Sequence, residues 1–581
     1  MAVTVQQHAQ KIMGLMNSGS FKAAAKAAKG AMKAFPHEAN FVNLAASAMA
    51  QSGDGRAAIT MFSKALKMRP GDVEIQNNLI QALIQTGQHV KAQELIAKLL
   101  PKRADPSALW FFKGASLSQS GDSKGAIAAL TKAIEANPKH AMAYNLRGIA
   151  HATENDEQSA IADFRRAHEL NPRDPDPLAN IGLPLARTGD PDAALAAVEK
   201  ALAINPNHVN ALHRQAILLA EEGRIEDAIA AYTYLLTIDP LHAEGYAELA
   251  AMQSREENRA LLPDILTAQK KLPPRSPFQA DLNRAVGNIH FQLGDYGKAA
   301  TALARFNDWN AKLRPYDSGA EAAECDRILA AFPLGAPLPA GGDRDTPTPI
   351  FVLGQPRSGT TLSEMILTAH PQVQSCGELD MARRLVAALE ENGEAFDPAA
   401  FAAGFRADMP PVAAQARAFV DKMPLNYRYI GYLLAAFPEA PILHIARDPR
   451  DVALSMWRSY FPAGGMAFTF DQRAMAKSAN TYRRYMAHWE ALAPDRILTL
   501  DYGEIVSDLP AAARRMADFC GLDWHDAMAA PEKNTAAVRT ASVVQVRQGV
   551  HKRSLGGWRR MEDALGPFLN ELDPALWPDL T

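Results

Sequence analysis

Cysteine is nearly absent: Cys325, Cys376 and Cys520 are the three in 581 residues, odd in number and far apart. They can build neither a disulfide framework nor a zinc-ligand spacing, so a reducing compartment is the simplest reading. Long apolar runs are absent too. Nowhere do about 18 apolar residues follow one another, and the opening "MAVTVQQHAQKIMGLMNSGSF" has no basic segment leading into an apolar one. The expectation is a soluble, cytoplasmic protein with no membrane partner. Charge of one sign is also lacking, with 61 basic against 64 acidic side chains and a net charge of -3. That balance gives no reason to expect nucleic acid as the main partner. The length exceeds one ordinary domain several-fold, so more than one core or a repeat array is expected.

What is present in the first half is a period. Prolines fall at Pro36, Pro70, Pro138, Pro172, Pro206, Pro240 and Pro274, in steps of 34 apart from one double step of 68 over Ala104. Glycines keep the same beat at Gly19, Gly53, Gly87, Gly121, Gly189 and Gly223, with Asn155 and Glu257 filling the slots between. Small residues recur in phase at Ala46, Gly114, Gly148, Gly182, Ala216 and Ala250, and at Ala58, Ala126, Ala160, Ala194 and Ala228. A unit of helix, glycine turn, second helix and closing proline resembles the tetratricopeptide repeat, with small residues where its helices cross. About nine units reach from near residue 3 to near residue 313. Stacked helix pairs of that kind make a surface suited to a protein or peptide, whose identity the sequence does not name.

The beat stops at "FPLGAPLPAGGDRDTPTP", residues 332–349, which is too rich in proline and glycine for helix or strand. The expected domains are a repeat solenoid over 1–315, a connecting segment over 316–346 and an α/β domain with a central parallel sheet over 347–581. That last part opens with "IFVLGQPRSGTTLSEMILTAH", a buried-strand pattern, a glycine loop and a helical pattern. Gly354, four residues, Gly359 and then Thr360-Thr361 follow the phosphate-loop pattern, but Thr stands where that pattern has lysine. Arg357 supplies the charge instead. Arginine with two threonine hydroxyls suits an anion gripped by fork-shaped hydrogen bonds without a metal.

"PRSGTT" after a strand resembles the 5′-phosphosulfate loop of sulfotransferases that use 3′-phosphoadenosine 5′-phosphosulfate, in particular the branch of tyrosylprotein sulfotransferases and bacterial sulfotransferases fused to tetratricopeptide repeats. The resemblance implies an α/β core of the P-loop type and assigns Arg357, Ser358, Gly359, Thr360 and Thr361 to the cofactor. "APILHIARDPRDVALSMWRSYF" is similar to the family's 3′-phosphate segment, which adds Arg447, Ser455 and Arg458, although the spacing of Arg458 departs from the tyrosylprotein enzymes. "LTLDYGEIVSDL" places Tyr502 at a nucleotide-contacting position. "RTASVVQVRQGVHKRSLGGWRRME" places Ser542, Gln545 and Trp558 in the nucleotide-covering segment, with Gly557 where those enzymes have lysine.

Sulfuryl transfer needs a base for the acceptor hydroxyl and cations for the developing charge. By resemblance Glu378 in "SCGELDM" is the base, with Asp380 as the alternate, and Lys422 in "FVDKMPLNYRYIGYL" and Arg357 are the cations. His370 and His444 read as structural. The implied activity is sulfation of a hydroxyl on a protein or peptide, tyrosine included, that the repeats recruit. Alternatives are a saccharide or small-metabolite acceptor with the repeats used for assembly or homodimerisation, a P-loop kinase or NTPase, and a non-catalytic scaffold.

Overall fold

The computed structural model describes residues 4–339, 341–461, 465–534 and 552–580 and divides into two compact units, Met1–Arg214 and Gln215–Thr581. Among the described residues, helices follow one another from Val5 to Ala331 with no strand between them.

In the first unit the helices pair, as in Ala39–Gln51 with Gly55–Met68, or Ala141–Thr153 with Glu157–Leu170. The turn inside each pair repeats one piece of chemistry. Gly53, Gly121 and Gly189 take φ of 86, 86 and 94°, and Asn155, in the same slot, takes 59°. Glycine enters this left-handed region freely, and Asn is among the few side chains that tolerate it. The next residue is then an aspartate whose carboxylate caps the second helix. Asp54, Asp122, Asp156 and Asp190 accept from the N–H groups of Ala57, Gly125, Ser159 and Ala193, each cap contributing about 1 kcal/mol. The periodic small residues lie where helices cross. A Cβ on Gly114 would stand 2.4 Å from Leu130 Cγ, and one on Gly148 would stand 2.8 Å from Phe164 Cε1.

The second unit contains a five-stranded, all-parallel sheet in the order β2-β3-β1-β4-β5. Its strands are β1 (Thr348–Gly354), β2 (Val373–Ser375), β3 (Ala418–Asp421), β4 (Ile442–Ala446) and β5 (Ile497–Asp501). Strands of a parallel sheet covered on both faces read as continuous apolar runs, and β1 does so. Its Phe351 and Leu353 enter one core while Ile350 and Val352 enter the core on the opposite face. The expected order, a helical tetratricopeptide-type array followed by an α/β domain with a central parallel sheet, is the order the chain adopts.

The Phe351 core draws on more than the sheet. Ala299 and Leu303 from the helix Tyr296–Leu313, the second helix of the last repeat-like pair, are fully buried in it. So are Cys325 and Ile328 from the helix Ser318–Ala331, which lies inside the stretch expected to connect the domains. That helix also buries Glu321, which pairs with Arg428. The last repeat-like helices therefore form part of the layer that covers the sheet. Among the described residues, no helix is long and apolar enough to cross a membrane.

Candidate anion-binding active site

In an open parallel sheet the strands deliver their next residues to one edge, beyond their carboxyl ends. Here β1 leads into the glycine loop, β3 into Lys422, β4 into Arg447 and β5 into Tyr502, while β2 ends three residues before Glu378. The loop is tightly enclosed. A Cβ on Gly354 would lie 2.5 Å from the Ile445 carbonyl oxygen, and one on Gly359 would lie 2.4 Å from the Tyr502 ring. Gly359 holds φ of 115° and Arg357 itself takes 72°, a conformation uncommon for a residue with a side chain and one that clusters at functional sites. The helix Thr360–Thr368 starts directly after Gly359, so its first N–H groups face the loop. Ser358 is 1% exposed, and its hydroxyl has no partner among the described residues.

Three arginines gather around this loop. Arg357 Nε donates to Ser455 Oγ at 2.9 Å, which joins the two resembling segments across 98 residues. Arg447 donates to the Arg357 carbonyl at 2.9 Å and to the Ser554 carbonyl at 3.0 Å, and its guanidinium stacks 4.4 Å from the Tyr502 ring centre. Arg447 Nε has no partner among the described residues. Arg458 donates from Nε to Asn288 Oδ1 at 3.0 Å. Burial, and then the charge of Arg447, push Arg357 down to about 10. Burial and the charge of Arg357 do the same to Arg458, also to about 10. Burial lowers Arg447 as well. All three remain cationic near neutral pH, and mutually repelling buried cations are relieved by an anion set among them. An orphaned hydroxyl, a helix N-terminus and this charge fit a phosphate- or sulfate-bearing ligand.

On the β2–β3 side the chemistry is acidic. Lys422 has a side chain 1% exposed, and its ammonium pairs with Glu378 Oε1 at 2.5 Å and with Glu364 Oε2 at 3.8 Å. Glu364 also accepts from Ser375 Oγ at 2.6 Å, and burial raises its pKa. Burial lowers the Lys422 pKa, but the charges of Glu378 and Glu364 outweigh it and leave a net rise. Asp421 accepts from the Leu379 N–H and from Asn426 Nδ2 at 3.2 and 2.8 Å, and burial pushes it up to about 8. The Glu378 side chain is 41% exposed, so it is open to solvent on one side and held by an ammonium on the other. Asp380 instead stands just before the helix Met381–Asn392, makes no side-chain capping bond to it, and pairs with Arg383 at 2.7 Å. Among the described residues, no group of three or more His, Cys, Asp or Glu side chains is arranged to hold a metal.

Trp558 is buried, with Arg450 stacked 4.3 Å from its ring centre. Asp451 fixes this segment by accepting from the Gly556 and Trp558 N–H groups at 2.7 and 2.9 Å. Thr360 and Thr361 are buried in the first turn of the loop helix. Ser542 and Gln545 lie outside the described residues. His444 is bonded to Thr499, Glu490 and Tyr482, and His370 accepts from the Gln372 N–H. Sequence reasoning missed Glu364, Asp451 and Asn288. Of these, Glu364 left a signal, as the one charged side chain in "TTLSEMIL".

Residues 349–526 match the sulfotransferase family, and residues 49–113, 113–175 and 180–243 match tetratricopeptide repeats. An uncharacterized protein of Aquifex aeolicus (strain VF5) is 34% identical over 298 residues, covering 48% of this chain and 39% of that one. Protein-tyrosine sulfotransferase A of Caenorhabditis elegans is 25% identical over 243 residues, covering 39% of this chain and 63% of that one. The chain thus spans under two thirds of the length of both. Among solved structures, YrrB, a tetratricopeptide-repeat protein with an unusual peptide-binding site, is 23% identical over 32% of this chain and 97% of its own, with a TM-score of 0.25. The chain carries a sulfotransferase-family domain downstream of tetratricopeptide repeats.

Proposed function

We propose that the chain transfers a sulfuryl group from 3′-phosphoadenosine 5′-phosphosulfate to an acceptor hydroxyl on a protein or peptide, tyrosine included, recruited by the repeats. The observation that carries the reading is the union of two unlike half-sites at one sheet edge. A cradle of Arg357, Arg447 and Ser455 stands beyond β1 and β4, and a carboxylate–ammonium pair, Glu378 with Lys422, stands beyond β2 and β3. The relatives named protein-tyrosine sulfotransferase support the same reading.

When bound, the donor supplies an electrophilic sulfuryl group on a phosphate leaving group. In this reading the loop N–H groups, Arg357 and the Ser358, Thr360 and Thr361 hydroxyls hold the 5′ side, and Arg447 with Ser455 hold the 3′-phosphate. Glu378 takes the acceptor proton as the acceptor oxygen bonds to sulfur. Lys422 and Arg357 steady the charge that passes to the departing phosphate oxygen as the S–O bond breaks. Desolvation of Lys422 makes its charge worth more than it would be in water.

The test is incubation of the full chain with sulfur-labelled donor and a cell extract, followed by identification of the labelled molecules. Label on polypeptide hydroxyls supports the reading. Label confined to small molecules moves the acceptor to that class, and no transfer to any acceptor overturns it.

A further inference from the structure

The helix Pro449–Trp457 carries Ser455, which touches Arg357, and ends at Arg458. The last carbonyls of a helix need donors from elsewhere, and here side chains of the last repeat-like pair supply them. Asn307 Nδ2 donates to the Trp457 carbonyl at 2.8 Å and Asn288 Nδ2 to the Arg458 carbonyl at 3.0 Å, and beyond the helix end Arg314 donates to the Phe461 carbonyl at 3.1 Å. Asn288 acts twice, because its Oδ1 also accepts from Arg458 Nε, and Phe291 on the same helix lies 3.6 Å from the Arg458 guanidinium.

These contacts fix Arg458 without cancelling its charge. An amide oxygen and an aromatic face are neutral partners, and among the described residues no carboxylate forms an ion pair with Arg458. Arg458 stands close enough to Arg357 for the two charges to repel. A structural arginine at such a crossing would gain from an acidic partner, whereas a cation kept for a ligand needs a neutral one.

We propose that Asn288 is a positioning residue of the transferase site: the helix Phe278–Leu293 holds Arg458 as an uncancelled cation for the anion that binds at the Gly354–Thr361 loop. The last repeat-like pair is thereby a working part of the site as well as a support for it. The inference rests on the anion-site reading given above.

The experiment is calorimetric titration of the full chain with adenosine 3′,5′-bisphosphate, with ADP in parallel, in three variants. Asn288→Asp keeps the side-chain shape but sets a carboxylate on Arg458. It is expected to weaken binding about tenfold or more; because it also loses the Nδ2 donor to the Arg458 carbonyl, the melting temperature is measured alongside to show that the variant is folded. Asn288→Ala, which removes the hold but adds no charge, is expected to weaken binding less. Arg458→Gln removes the cation directly and is expected to match Asn288→Asp; it serves also if the aspartate variant does not fold. Wild-type affinity in either Asn288→Asp or Arg458→Gln overturns the inference. If ADP binds as well as the bisphosphate, the sulfuryl-donor reading fails, and the same variants measured with ADP still decide the role of Asn288. Absence of binding by both nucleotides overturns both.

Discussion

Arg357 Nε and Ser455 Oγ meet at 2.9 Å, so the loop after β1 and the helix after β4 share one hydrogen bond at the centre of the site. Arg447 reinforces the junction by donating to the Arg357 carbonyl. Together the two contacts tie the loop's cation to the segment that follows β4.

The first prediction is nucleotide discrimination. Each charge-assisted contact to an added 3′-phosphate should contribute about 1.5 to 3 kcal/mol, or about ten- to a hundredfold in affinity. The chain should bind adenosine 3′,5′-bisphosphate at least about tenfold more tightly than AMP, and Arg447→Ala should remove most of that margin. Equal affinities in a calorimetric titration would refute the assignment of Arg447 and Ser455.

A second prediction separates the carboxylates that share Lys422. Glu378→Gln should leave donor binding nearly intact and lower kcat by about 10²- to 10⁴-fold, the usual share of a general base. Glu364→Gln removes the buried partner on the other side of the ammonium and should lower kcat less, by about tenfold. Asp380→Asn should have little effect, since Asp380 is engaged with Arg383. Steady-state kinetics on an identified acceptor check all three, and a kcat loss confined to Asp380→Asn would transfer the role of base to that residue.

The third concerns pH and stability. Burial holds the Asp421 carboxyl up to about 8, against about 3.9 in an unfolded chain. Between these values the folded state binds a proton that the unfolded state has released, so stability from this group is full at low pH and declines as pH rises through the window. The slope is at most about 1.4 kcal/mol per pH unit. Urea unfolding at pH 5.5, 7 and 8.5 should show this decline, and Asp421→Asn should flatten it. An unchanged slope in the variant would assign the decline to other groups.

How much of this was legible in the sequence follows from how local each signal is. The repeat turns could be read because one glycine or asparagine and one aspartate settle each turn within a few residues, and the structure repeats them at Gly53-Asp54, Asn155-Asp156 and Gly189-Asp190. The loop from Gly354 to Thr361 could be read for the same reason. Glu364 against Lys422, and Asn288 against Arg458, join segments that only the folded sheet edge brings together, so neither pair left a spacing to find. The small and apolar positions Ala299 and Leu303 look in sequence like ordinary contacts between repeats. Periodicity reports that a helix face is buried, not what covers it, and here the cover is the core beneath the sheet.

That last point governs the fourth prediction, on where the chain can be cut. Removal of residues 1–310 deletes Asn288 and Asn307, which cap the Ser455 helix, and Ala299 and Leu303, which lie in the Phe351 core. Loss of a buried Leu-sized side chain alone costs about 2 to 5 kcal/mol, of the order of a domain's whole margin. The 311–581 fragment should therefore be unfolded or aggregated and should not bind adenosine 3′,5′-bisphosphate. A cut before the helix Val209–Glu221 keeps the second compact unit whole. The 209–581 fragment should melt cooperatively, bind the bisphosphate as the full chain does, and sulfate a small phenol slowly. If the first unit recruits the acceptor, this fragment should lose most of its kcat/KM on the natural acceptor, because gripping a remote segment raises the local concentration of the reacting group. Unchanged kcat/KM would make the first unit an assembly device. A well-folded 311–581 fragment with full nucleotide affinity would show instead that the last repeat-like helices are dispensable to the site.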